Sequence, residues 1–150
     1  MSLKPAVTTQ VEIELEIAAP VAKVWKSLVE STADWWPSDF HMTSQPNTVQ
    51  LEAWPGGRLF ETGGEGEGLL WATVQAVVPE VSLHYTGQVC PPFGGPVTSM
   101  VYIRLEPSET GTTFRLTDSL IGQVDDTLLS SLESGWNLLY GGLKKWAERG

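Results

Sequence analysis

Two histidines, His41 and His84, and a single cysteine, Cys90, stand among the 150 residues. Nucleophilic catalysis needs a serine or cysteine, a base and a group that orients the base, so these positions bound what the chain can do by that route. His84 lies between Leu83 and Tyr85, and strand alternation puts it on the outer face if those two point inward. His41 falls in a loop and is the better candidate base. Cys90 precedes Pro91 in a loop with no helix N-terminus or basic neighbour to activate it, so an inert thiol is the stronger reading over a reactive one. The spacing of His, Cys and carboxylates offers no set of three or four zinc ligands. The glycine-rich run from Thr62 to Gly68 lacks both the Gly-x-Gly-x-x-Gly fingerprint and the Lys-Ser/Thr of a phosphate loop, and Glu65 and Glu67 would repel phosphate. No cofactor is expected. Asp118 is the other candidate for chemistry: in a dry cavity, burial would raise its pKa and make it a usable acid or base near neutral pH.

Whatever positions these groups must include the last quarter of the chain. Leu129, Leu132, Trp136, Leu139, Leu143 and Trp146 recur at helical spacing and form one apolar stripe. Ser130, Glu133, Asn137, Lys144 and Glu148 fall on the opposite face. Asp125 and Asp126 suit a helix N-terminus, and Lys144, Lys145 and Arg149 suit its last turn. The spacing predicts a helix over Asp125–Arg149, about 36 Å long. Gly135, Gly141 and Gly142 interrupt it at a cost of about 1 kcal/mol each, a sign of close packing or of a bend around something.

Upstream, Val11–Ile17 alternates strictly: Val11, Ile13, Leu15 and Ile17 face a core, and Glu12, Glu14 and Glu16 face water rather than a metal. Pro20 opens a short helix to about Glu30, with Val21, Val24, Trp25 and Leu28 on one face. Ser31–Asp34 opens a second helical piece carrying Trp35 and Trp36, which Pro37 stops. Residues Phe40 to Asn47 read as irregular. Strands follow at Val49–Trp54, Arg58–Glu61, Leu69–Val78, Val81–Val89, Val97–Glu106 and Thr112–Ile121, joined by turn signals at Pro55-Gly56-Gly57, Pro79-Glu80 and Pro107–Gly111 and by the loop Cys90–Pro96. Hairpin connections make the sheet antiparallel. The order predicts an α+β fold of about seven strands in a curved sheet wrapped around the terminal helix.

At 150 residues, with 41% hydrophobic and 18% charged, the chain reads as a single folded domain spanning 1–150. The formal net charge of −9, without a Lys/Arg cluster, argues against nucleic acid and anionic membranes as partners. No apolar run approaches a membrane span, and the N-terminus lacks a signal-peptide core, so a cytoplasmic location is expected. Exposed sheet edges offer a route to a homodimer.

Four stretches together resemble the START-like (SRPBCC) superfamily, whose helix-grip fold includes the birch pollen allergen and aromatic polyketide cyclases. They are Ala19–Trp25 after the opening strand, Trp35-Trp36-Pro37, Pro55–Glu61, and Gly135–Leu139 with Leu143 and Trp146. Their details are similar to the branch of the activator of the heat-shock chaperone ATPase. The resemblance covers nearly the whole chain and implies a cavity between sheet and terminal helix that takes apolar or aromatic molecules. It also implies a histidine near the end of the last strand, in a stretch similar to Phe114–Ser119, where this sequence has Asp118.

Strand parity and helix face give the cavity candidates: Phe60, Tyr85, Val101, Ile103, Phe114, Trp136 and Tyr140. Trp36 and Phe40 are placed to close its mouth, with Asp118 as polar anchor and Arg58 or His41 as a second polar contact. For Val101, Ile103, Leu116 and Leu139 core packing is the stronger reading; the large rings of Trp36, Trp136 and Tyr140 suit a partly wet wall as well as a core. The expected function is binding of a small apolar or aromatic ligand. The alternatives are a cyclase- or hydrolase-type enzyme using Asp118 or His41, and a protein-interaction module working through its acidic surface.

Overall fold

Seven strands, β1 (Val7–Ile17), β2 (Pro46–Leu51), β3 (Arg58–Gly63), β4 (Gly68–Val78), β5 (Ser82–Val89), β6 (Val97–Ser108) and β7 (Gly111–Gly122), form one antiparallel sheet. Their order across it is β1-β7-β6-β5-β4-β3-β2. Helices α1 (Val21–Glu30) and α2 (Thr32–Trp35) follow β1, and α3 (Asp126–Ala147) closes the chain. The computed structural model describes residues 2–150. Among them no helix is long and apolar enough to cross a membrane.

This is the helix-grip arrangement expected from the sequence, with shifted boundaries. β1 starts at Val7 rather than Val11, because β7 supplies partners as far as Gly122; pairing, not burial, extends it. β2 is Pro46–Leu51 instead of Val49–Trp54, so the segment before it is shorter than the irregular stretch expected. The chain leaves the ladder at Glu52, whose carboxylate binds the Arg58 side chain at 2.8 Å across the turn.

The two sides of the sheet differ in regularity. β1, β7, β6 and β5 pair without interruption. Register shifts occur at Pro46/Thr48, Leu59/Phe60 and Val74/Ala76, all among β2 to β5. Each inserts a residue that bends its strand and changes which side chains face inward.

α3 begins where the sequence places it. Asp125 is the N-cap, its Oδ1 accepting from the Leu128 N–H at 2.8 Å. Its last turn is tied to the end of β1: Lys144 Nζ donates to the Glu16 carbonyl at 2.6 Å, and Glu148 Oε2 accepts from the Ala18 N–H at 2.8 Å. Leu139, Tyr140, Leu143 and Ala147 are buried, whereas Leu129, Leu132 and Trp136 are only partly so. The main core joins α1, α2 and the second half of α3 to Ile17, Leu83, Ile103, Phe114 and Leu116 of the sheet.

Candidate functional site

Under the less buried half of α3 lies a two-lobed cleft. One lobe of about 230 Å³ sits against Trp36, Phe40, Leu59, Gly135 and Leu139. The other, about 310 Å³, reaches Met42, Gly87, Cys90, Phe93 and Ser99. Trp71, Tyr85, Leu132 and Trp136 belong to both and form the waist between them. No charged side chain lines either lobe. A larger recess, about 540 Å³, lies on the outer face of the sheet among Glu12, Glu14, Arg104 and Arg115. Arg115 pairs there with Glu14 and Glu106, which makes it a solvated charged surface; an enclosed apolar pocket is the usual form of a small-molecule site.

Of the residues expected at the cavity, Trp36, Phe40, Tyr85 and Trp136 line this cleft. Tyr140 stands one layer behind it: its hydroxyl shares a 2.6 Å hydrogen bond with Tyr85 Oη, and its ring stacks on Trp136 at 5.9 Å and meets Phe114 at 4.9 Å. Burial pushes both phenols above their ordinary range, so both stay neutral. Val101, Ile103 and Phe114 are core residues and line neither lobe.

Phe60 corrects the sequence expectation: it faces outward, under the Arg58 guanidinium at 4.1 Å. Leu59 and Glu61 take the inward positions. Strand parity admits either phase, and an inward glutamate is costly unless its carboxylate is hydrogen-bonded. It is tolerated because Glu61, 1% exposed, is saturated with donors. Its carboxylate accepts from the N–H groups of Met42 and Thr43 at 3.0 and 2.7 Å and from Thr43 Oγ1 at 2.5 Å. Burial pushes its pKa up, but these bonds and nearby His41 outweigh burial and hold it below the usual glutamate value. Glu61 thereby pins the segment that carries Phe40 and Met42 over the cleft, and Glu67 does the same through Ser44, whose N–H and hydroxyl it accepts at 2.8 and 2.6 Å.

Asp118 is also not where a polar anchor would be. It is fully buried and lines neither lobe. Ser99 Oγ donates to one oxygen at 2.5 Å and Trp136 Nε1 to the other at 2.9 Å. Burial raises its pKa, against the pull of those two bonds. Asp118 therefore fixes two wall residues from behind. His41 packs with Nδ1 3.5 Å from Glu61 Oε1 and lines neither lobe; Arg58 is held by Glu52 on the surface. His84 stacks on Tyr102 at 4.1 Å. Among the described residues no three His, Cys, Asp or Glu side chains come together as metal ligands would.

Trp71 was missed by sequence reasoning. Leu59 pairs with Ala72 and Phe60 with Leu70, leaving Trp71 as the extra residue of a bulge. Downstream, Ala72 and Val74 hold the buried positions, so an unbroken strand would turn Trp71 outward. The bulge reverses the phase and brings its ring into the cleft, edge-on to Trp36 at 5.4 Å. Gly87 on β5 makes room: a Cβ there would stand 2.6 Å from the Trp71 carbonyl oxygen.

A family model described as activator of Hsp90 ATPase homolog 1-like protein matches residues 18–148. No curated protein sequence matches the chain. Among solved structures, an uncharacterized protein from Rhizobium leguminosarum is similar over 99% of this chain and 100% of its own, at 19% identity and a TM-score of 0.74. Ara h 8.0201 is similar over 94% and 98%, at 13% identity and a TM-score of 0.71. DynU16, from the dynemicin biosynthetic locus, is similar over 94% of this chain and 48% of its own, at 22% identity and a TM-score of 0.66. At these identities the structural likenesses establish the fold alone.

Proposed function

The chain belongs to the family of activator of Hsp90 ATPase homolog 1-like proteins, and we propose that it binds a small apolar or aromatic molecule in the cleft between the sheet and the N-terminal half of α3. The observation that carries this reading is the wall: Trp36, Phe40, Trp71, Tyr85 and Trp136 surround a space with no charged side chain on it. Such a space favours apolar surface, gaining about 25 cal/mol for each Å² withdrawn from water. The helix-grip resemblance supports the same reading, since it implies a cavity at this place.

Binding requires no acid or base. The arrangement supports a positioning role for Asp118, which occupies both its oxygens with Ser99 and Trp136, and a packing role for His41. Native mass spectrometry against the denatured mass tests the proposal: a retained or added neutral aromatic compound is expected on the folded protein and lost on unfolding. A clean apo mass that no aromatic compound shifts would overturn it. That outcome would favour the second reading, capture of a protein partner through a surface of net charge −9, with salt-sensitive affinity.

A further inference from the structure

The polar side chains of the inner wall are committed away from the cleft. Tyr85 is hydrogen-bonded to Tyr140, and Trp36 Nε1 donates to the Phe40 carbonyl at 3.1 Å. Trp71 Nε1 is closed even to water. Ser131, Gln88 and Cys90 stand at the exposed rims. The two remaining donors, Ser99 Oγ and Trp136 Nε1, both end on Asp118, which lies behind the wall and is fully buried. Of these two, Ser99 has the more room to do otherwise. It is an inward-facing residue of β6 on the second lobe. Its partner across the ladder is Gly87, which lines the same lobe and has no side chain to cover it. A serine hydroxyl rotates onto whatever acceptor suits it. What draws this one back is the carboxylate behind.

We infer that Asp118 is the specificity-determining residue of the cleft, acting through Ser99 and Trp136: its carboxylate draws both donors off the wall, so that the cleft selects hydrocarbon rings over ring compounds that bury a hydrogen-bond acceptor. This rests on the proposal that the cleft binds a small molecule. An ionised carboxylate only accepts, so both neighbours must donate to it. Both bonds are charge-assisted, and stronger than a bond that a neutral ketone or ether oxygen could offer Ser99 in exchange. A ligand carbonyl entering the second lobe therefore gives up its water and finds no donor, which costs more than placing a hydrocarbon there. Asp118 touches no ligand in this reading. It acts by removing from the wall the groups a polar ligand would need.

The test measures dissociation constants by calorimetry for the hydrocarbon 2-isopropenylnaphthalene and its ketone isostere 2-acetylnaphthalene. The proteins are the wild type, Asp118→Asn, and Asp118→Asn combined with Ser99→Ala. The wild type is expected to bind the hydrocarbon about tenfold more tightly than the ketone. Asparagine keeps the shape of Asp118 but has one acceptor and one donor in place of two acceptors. Trp136 Nε1 can only donate and takes the acceptor, so the amide donates to Ser99 Oγ and the serine proton is released toward the second lobe. The hydrocarbon-to-ketone preference is then expected to fall about five- to tenfold, as gain of one neutral hydrogen bond predicts, and to return when Ser99→Ala is added. A wild type that binds the ketone as tightly as the hydrocarbon overturns the inference. So does an unchanged preference in Asp118→Asn, which is what a merely structural role predicts, or a lost preference that Ser99→Ala does not restore. Each of these leaves the cleft a binding site, whereas binding of neither compound removes the binding proposal and this inference together. If Asp118→Asn does not fold, the assigned Trp136 indole N–H resonance of the wild type decides: both compounds leave its bond to Asp118 intact and move it alike, and a displacement by the ketone alone overturns the inference.

Discussion

The two halves of α3 carry the same apolar stripe and face the same sheet, yet one half is sealed and the other is not. From Leu139 to Ala147 the helix is clamped by α1, α2 and β1, and Leu143 and Ala147 are completely buried. From Leu129 to Trp136 the same spacing of large residues packs on a small cluster of Val11, Val97 and Leu120 and, at Leu132 and Trp136, borders the cleft beyond the end of the β4–β5 ladder at Thr73↔Thr86 and the pinned segment of Phe40 and Met42. There the side chains stay partly exposed around the cleft. Spacing sets which face of a helix is apolar. The supply of partners opposite that face sets whether it closes.

The sharpest break of this comparison is a matched pair of truncations. Leu143→Ala is expected to destabilise the fold by about 2–5 kcal/mol, the range for a core leucine. Leu132→Ala, at the open half, is expected to cost about 1 kcal/mol or less, because that side chain has already kept part of its contact with water. Urea denaturation of both variants measures the difference; equal losses would mean that the two halves are packed alike.

A smaller effect separates neighbouring glycines. At Gly142 a Cβ would stand 2.5 Å from the Trp35 carbonyl oxygen, whereas at Gly141 nothing lies within 4 Å. Gly141→Ala is therefore expected to stabilise the protein by up to about 1 kcal/mol through helix propensity. Gly142→Ala is expected to destabilise it by about 1–3 kcal/mol, since main chain must move. Thermal melts of the two variants moving in the same direction would dissolve the contrast.

The smallest effect is the acid sensitivity of the open half. The folded chain holds Glu61 below its usual value of 4.5, so the stability from its bonds to residues 42 and 43 is complete above that pH. It is lost as pH falls through the folded value. Asp118 has the opposite sign: its pKa is raised above 3.8, so the folded state binds the proton more tightly and stability declines as pH rises from 3.8 through the raised value. On acidification, the indole signals of Trp36 and Trp71 are expected to change before that of Trp35, whose N–H is bonded to the Ser27 carbonyl at 2.8 Å in the closed core. Glu61→Gln is expected to abolish that early change, and its persistence would place the acid-sensitive group elsewhere.

Local periodicity in the sequence was enough to determine the architecture. The alternation of Val11–Ile17, the stripe of α3, the Asp125 cap and the hairpin turns are all properties of consecutive residues, from which the type, order and apolar face of each element can be read. They also placed Trp36, Phe40, Tyr85 and Trp136 near one another. What the tertiary structure decided was phase and partnership. One extra residue in β4 turned Trp71 inward, and three donors from a distant loop made it possible to bury Glu61 and leave Phe60 outside. Two wall residues sealed Asp118 behind the cleft it was expected to anchor. Parity cannot foresee a bulge, because the inserted residue is defined by the strand opposite. Nor can composition foresee a satisfied buried charge, because its donors lie elsewhere in the chain and meet it only once the sheet has closed.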